Sequence, residues 1–277
     1  MLNGDTRIIA HVGYPTSTFK SPMIYNPWFE TKGINACVVP LGVRAENFRA
    51  AFPEICRFSN FHGALITMPH KVAVLDLLDE RSTAVRIAGS CNAVRLDADG
   101  RLIGDMFDGE GFVRGVRNNG GSLEGARALI VGSGGVGSAI AASVAAAGAA
   151  EIALQDLNTA AMEGLAGRLR ENYPRLKVSV GSSDPSGFDL VVNATPLGMK
   201  PGDPMPVDVS RLAPTTFVGE VVLKAETTAF LAAAKARGCP TQVGVDMLFE
   251  QIPVYLEFFG FPATTAAELR AVAKIQY

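Results

Sequence analysis

The segment ALITMPHK, residues 64–71, carries an apolar run into a proline and then delivers His70 and Lys71. Residues 64–68 have the composition of a buried strand, and Pro69 ends ladder pairing because it has no N–H to donate. A lysine at such a place is ordinarily a solvated surface charge, since lysine is rarely buried. A lysine aimed into a cleft beside a carboxylate does other work. It exchanges a proton with a hydroxyl or carbonyl once desolvation or a hydrogen-bond network brings its pKa within reach of neutral pH. The segment GDMFDGEGF places a carboxylate, Asp108, just ahead of a helix.

A second chemical pattern lies in ALIVGSGGVGSA, where Gly132, Gly134 and Gly137 stand in GxGxxG register, with Gly135 and Val136 completing the loop. The motif alone is weak, but a strand before it and a helix after it are the context of a dinucleotide-binding turn. Gly132 allows the tight turn, Gly134 the close approach of a pyrophosphate, and Gly137 the close helix–strand packing, while the helix N-terminus offers unpaired N–H groups to the phosphates. About twenty residues on, the next strand, EIALQD, ends in Asp156. A carboxylate there accepts hydrogen bonds from the adenosine ribose hydroxyls and repels a 2′-phosphate. The following residues are Leu157, Asn158 and Thr159, with no cation for that phosphate, so NAD is expected rather than NADP. A plain helix N-cap is the structural alternative for Asp156, a role Asn158 or Thr159 could also fill.

The elements that must position these groups alternate between strand and helix. TRIIAHVG, ACVVPLGV and GALITM read as strands; PMIYNPWFETKG, RAENFRAAFPEICRFS (interrupted near Pro53) and KVAVLDLLDE read as helices. CNAVRLDADGRLIGDMFD reads as a hairpin with Asp99 and Gly100 as its tight turn. A second series follows: strands RALIVG, EIALQD, LKVSVG, DLVVNAT, FVGEVVL and PTQVG, with helices GVGSAIAASVAAAGA, TAAMEGLAGRLREN and TTAFLAAAKARG. Such alternation implies a parallel sheet covered on both faces. The tail, VDMLFEQIPVYLEFFG and TTAAELRAVAKIQ, reads as two amphipathic helices expected to return to the first unit. The fold class is α/β in two domains, with a substrate-binding domain over 1–107, a Rossmann-type dinucleotide-binding domain over 108–243 and returning helices over 244–277. The ligand cleft is expected between the domains.

The chain has 277 residues, 48% of them hydrophobic and 19% charged, with a net charge of −2. That is a well-cored protein without the basic footprint of a nucleic-acid or anionic-membrane binder. The four cysteines show no CxxC pairing and the three histidines no metal-ligand spacing, so no metal is expected. Neither a signal segment nor a transmembrane run is recognisable, and reduced cysteines fit a cytoplasmic location. The expected partner is a small molecule, and the oligomeric state is a monomer or a homodimer.

Taken in order, GYPTSTFKSP, TMPHK, GSCN, DGEG, GSGGVG, NATPLGM and MLFEQ resemble the shikimate/quinate dehydrogenase family over essentially the whole chain. The resemblance implies reversible hydride transfer between a nicotinamide and a ring hydroxyl of shikimate, quinate or a related cyclic hydroxy acid. It makes Lys71 the general acid/base and Asp108 its hydrogen-bond partner. It places Ser21, Thr67, Asn92 and Gln251 around the substrate, and Asn193, Thr195 and Met199 of NATPLGM beside the nicotinamide. The alternatives are a methylenetetrahydrofolate dehydrogenase-type enzyme, whose tyrosine–lysine helix pairing is not seen, and a nucleotide sensor without catalysis, which has no need of Lys71 and Asp108.

The sequence departs from the family pattern where Phe19 and Leu65 replace a serine and an asparagine, and where Phe107 and Leu223 replace a threonine and a tyrosine. Part of the implied carboxylate and hydroxyl grip is therefore apolar. Weak turnover of shikimate is expected unless Ser17, Thr18 or Lys20 beside Ser21 compensates.

Overall fold

The computed structural model describes residues 2–223 and 227–275, and the chain divides into two compact units, 1–107 with 252–277, and 108–251. The first unit opens with β1 (Arg7–Gly13), α1 (Pro22–Thr31), β2 (Ala36–Gly42), α2 (Ala45–Cys56) and β3 (Phe61–Ile66). It continues through β4 (Glu80–Arg81), α3 (Thr83–Ala88), β5 (Ala93–Leu96) and β6 (Leu102–Asp105). The sheet order is β2-β1-β3-β5-β6-β4. β1 runs parallel to β2 and β3, whereas β5 is antiparallel to β3 and to β6. The parallel strands are buried on both faces, as their near-continuous apolar runs require: Ile9, Ala10, Val12 and Ala64 are fully buried.

The second unit comprises α4 (Asp108–Asn118), β7 (Arg127–Val131), α5 (Gly135–Ala146), β8 (Glu151–Gln155), α6 (Thr159–Asn172) and β9 (Lys177–Val180). Then come β10 (Leu190–Asn193), β11 (Phe217–Glu220), α7 (Ala229–Ala236) and β12 (Thr241–Gln242). All the strands are parallel, in the order β12-β11-β10-β7-β8-β9. This is the doubly wound dinucleotide-binding order, whose ligand crevice opens at the carboxyl ends of the strands where the winding reverses, here between β7 and β10. α8 (Gly244–Phe258) carries the chain back to the first unit, where α9 (Ala266–Val272) follows. The Trp28 indole N–H donates to Thr264 at 3.0 Å, and the Lys274 N–H donates to the Met23 carbonyl at 2.8 Å. That last bond catches the chain in extended form at Ala273, so α9 stops short of the helix expected over 264–276, whose final residue lies outside the described ones. Among the described residues no helix is long and apolar enough to cross a membrane.

Three further local expectations differ from the structure. KVAVLDLLDE forms only a 3-10 turn at Ala73–Leu77, because Asp79 accepts the Leu102 N–H at 2.7 Å and β4 joins the edge of the sheet beside β6. The hairpin turn is not a two-residue link. The Asp97 carboxylate gathers the Asp99 and Arg101 N–H groups at 2.9 Å each, and Gly100 takes φ 77° within a longer loop. Pro53 does not interrupt α2, since it stands in the last turn, where the missing N–H removes a single bond from a helix about to end.

Candidate active site

Lys71 stands past the carboxyl end of β3, beside the ends of β1 and β2. The stretch that delivers it is fixed by His70, which is 1% exposed, stacks on Phe48 at 4.1 Å and hydrogen-bonds the Val43 carbonyl through Nε2 at 2.7 Å. With His70 anchored inward, its neighbour Lys71 is left half-buried. The Lys71 carbonyl accepts the Cys91 N–H at 2.8 Å, which sets Lys71 beside the start of β5 and so beside Asn92. Asn92 is 1% exposed; its Oδ1 accepts the Phe107 N–H at 2.9 Å, and its carbonyl accepts the Ile66 N–H at 2.8 Å. Thr67 donates its N–H to Val12 at 3.0 Å and accepts from the His70 N–H at 2.9 Å, closing the turn after the strand. Ser21 is the residue before α1 and makes no side-chain capping bond. Lys71, Thr67 and Asn92 thus gather at one edge of the first unit.

His11, near the end of β1, joins them and was not singled out from the sequence. It is 7% exposed, and burial together with the Lys71 charge pushes its imidazole pKa down to about 3. No sequence signal marked it, because a histidine inside an apolar strand reads as core. Three of the apolar replacements, all in the first unit, lie around the same edge. Phe19 stacks on His11 at 3.9 Å, Leu65 is buried in β3, and Phe107 packs edge-on against Tyr255 at 5.0 Å.

In the second unit Asp108 is the first residue of α4 and 4% exposed, where the helix dipole favours a carboxylate. The glycines after it have separate packing duties. A Cβ on Gly109 would lie 2.0 Å from the Ala139 carbonyl of α5, and one on Gly111 would lie 2.6 Å from the Gln251 Cβ of α8. Gln251 itself is buried, with Oε1 unpartnered.

The glycine loop has the form its spacing implied. Gly132 takes φ 109°, and a Cβ on Gly137 would meet the Gly132 oxygen at 2.0 Å. Gly134, by contrast, has nothing within 4 Å on its Cβ side. Open space at that glycine, a helix N-terminus behind it and a buried Ser133 hydroxyl without a partner fit a dinucleotide pyrophosphate. Asp156 braces the loop, accepting the Ser133 N–H at 2.5 Å and the Asn158 N–H at 2.7 Å. Leu157 beside it is fully exposed.

The loop after β10 adjoins the glycine loop, since the Ala194 N–H donates to the Val131 carbonyl at 2.8 Å. Asn193 is fully buried and acts within that loop: Oδ1 accepts the Thr195 hydroxyl at 2.6 Å, and Nδ2 donates to the Leu197 carbonyl at 2.9 Å. Met199 stands exposed at the rim. Glu220, paired in register with Asn193, is fully buried; it accepts the Thr228 hydroxyl at 2.8 Å, and burial raises its carboxyl pKa to about 7. A glutamate in the apolar run FVGEVVL was the available signal for it.

Residues 12–94 match the family model described as the shikimate dehydrogenase substrate binding domain. A shikimate dehydrogenase (NADP(+)) of Rubrobacter xylanophilus is 35% identical over 254 residues, covering 90% of this chain and 89% of that protein. The chain belongs to the shikimate/quinate dehydrogenase family. Among solved structures of similar architecture, 5-ketofructose reductase of Gluconobacter sp. strain CHM43 superposes with a TM-score of 0.88 at 28% identity, covering 98% of each chain. Quinate dehydrogenase from Corynebacterium glutamicum in complex with NAD gives 0.86 at 28% identity, over 97% of this chain and 98% of that one. Membership of the shikimate/quinate dehydrogenase family sets aside the methylenetetrahydrofolate dehydrogenase reading.

Proposed function

We propose that the protein is an NAD(P)-dependent dehydrogenase acting on a ring hydroxyl of a shikimate- or quinate-like cyclic compound, with NAD preferred. The observation that carries the reading is the cluster of Lys71, Thr67 and Asn92 at one strand edge, on a chain of this family. The nicotinamide, when bound, accepts or supplies the hydride. The chain moves the proton. Lys71 Nζ takes it from the hydroxyl as the carbonyl forms and returns it on reduction, with Asp108 as its hydrogen-bond partner, orienting the amine. Asn92, Thr67, Ser21 and Gln251 hold the ring hydroxyls; the unpartnered Gln251 Oε1 is an acceptor awaiting a donor.

Gly132 to Gly137 would hold the pyrophosphate, and the Asn193–Thr195 bond fixes the loop carrying Met199, which would line the nicotinamide site. Asp156 repels a 2′-phosphate, and the fully exposed Leu157 offers it no partner, which supports NAD even though the Rubrobacter relative is named for NADP. Lys71→Ala tests the assignment. Turnover should fall about 10²–10⁴-fold, the usual worth of general acid/base catalysis, with cofactor affinity retained. Turnover like that of the wild type would remove Lys71 from the chemistry.

A further inference from the structure

Phe19 and His11 form a plate at the substrate edge of the first unit. The two rings lie 3.9 Å apart and 20° from parallel. The tip of the phenyl ring reaches Gly13: a Cβ on Gly13 would lie 2.9 Å from Phe19 Cζ and 2.3 Å from Thr67 Cγ2. Only a glycine admits this approach, so the ring is seated at the turn that leads to Lys71. Phe19 is half-buried, with one face on His11.

The plate offers no charge. His11 is the group that could have become a cation, and burial beside Lys71 holds it neutral, with Nδ1 unpartnered. A carboxylate set against the plate would lose water and receive neither a charge-assisted bond from His11 nor a hydroxyl bond from Phe19. A ring carrying only hydroxyl, keto or ester groups has no charge to desolvate and loses less, and its C–H face covers the phenyl surface.

We propose that Phe19 and His11 are specificity-determining residues that select a polyhydroxylated ring uncharged at the end facing Phe19, in place of a ring carboxylate. This rests on the dehydrogenase reading above and names the substrate class of the same site.

Shikimate and its methyl ester test it, because they share the ring and every hydroxyl and differ in the charge of one substituent. In wild-type protein the ester should exceed the acid in kcat/KM by about tenfold or more, the worth of one absent charged hydrogen bond. Phe19→Ser should raise the acid and shrink or invert that ratio, whereas Phe19→Leu, apolar but without a ring, should keep the ester ahead. Melting temperature and cofactor affinity, measured alongside, confirm that each variant is folded. A wild-type preference for the acid, equal efficiencies, or a ratio untouched by Phe19→Ser overturns the specificity assignment and leaves the dehydrogenase reading standing. Failure of both compounds, of quinate and of neutral cyclic polyols with either cofactor overturns the dehydrogenase reading, and the assignment falls with it.

Discussion

Glu220→Gln isolates one buried proton. Glu220 is fully buried at the end of β11; Oε2 takes the Thr228 hydroxyl, Asn193 adds a second hydrogen bond, and Oε1 has no partner. Burial outweighs these bonds and raises the carboxyl from 4.5 to about 7. The folded protein therefore keeps this proton in a range where the unfolded chain has released it. Where the folded state binds more protons, stability falls as pH rises. The penalty is absent below 4.5, grows between 4.5 and about 7, and is complete above that. At about 1.4 kcal/mol per pH unit it amounts to about 3 kcal/mol. Glutamine keeps an acceptor for Thr228 and cannot ionise. The Tm of variant and wild type, followed from pH 5 to 8, should diverge in favour of the variant, by about 2–4 °C for each kcal/mol. Taking the difference cancels His11, which acts in the opposite sense: its depressed pKa withdraws stability as pH falls below 6.5 toward about 3. A constant difference, or one that favours the wild type as pH rises, would refute the account of Glu220.

Two other substitutions bear on the cofactor side. Leu157→Arg adds a guanidinium at a fully exposed position and should tighten NADP by about tenfold or more with little effect on stability, read by titration with both cofactors; equal affinities in the wild type would show that this strand end had been misread. Gly137→Ala puts a methyl 2.0 Å from the Gly132 oxygen and should cost about 1–3 kcal/mol together with dinucleotide affinity, so an unchanged Tm and affinity would contradict the close packing.

The α/β alternation was legible because each strand is a short apolar run and each helix carries its own stop. α6, for example, coincides with TAAMEGLAGRLREN behind the Asn158 cap. The glycine loop was legible because its chemistry is local: turn, open face and packing contact fall within six residues of sequence. The 3-10 turn after Lys71 was not, since it depends on Asp79 finding the Leu102 N–H more than twenty residues away. His11 and Phe19 were hidden for a similar reason. Phe19 could be seen as an apolar replacement, but its stacking on a histidine in β1 is a tertiary fact that no periodicity encodes. Likewise the glycines of DGEG read as a junction motif, while their duties toward α5 and α8 emerge only from packing. Asp156 was read as a cofactor ligand, and its bond to the Ser133 N–H adds a brace for the loop.

The first unit is built from both ends of the sequence, which bears on the order in which the protein becomes native during synthesis. Translation proceeds at about 5–20 residues per second, and domains fold as units as they emerge. All the strands of the second unit are in hand by Gln242, whereas the first unit still lacks the segment that covers Trp28 and Phe29. Phe261, Thr264 and the Lys274 N–H close that face, and they are made only after the second unit. The sheet that holds Lys71 and His11 must therefore wait, part of its apolar surface uncovered, while the inserted unit is completed. The interval is on the order of ten seconds at those rates, a window in which a chaperone has most to protect.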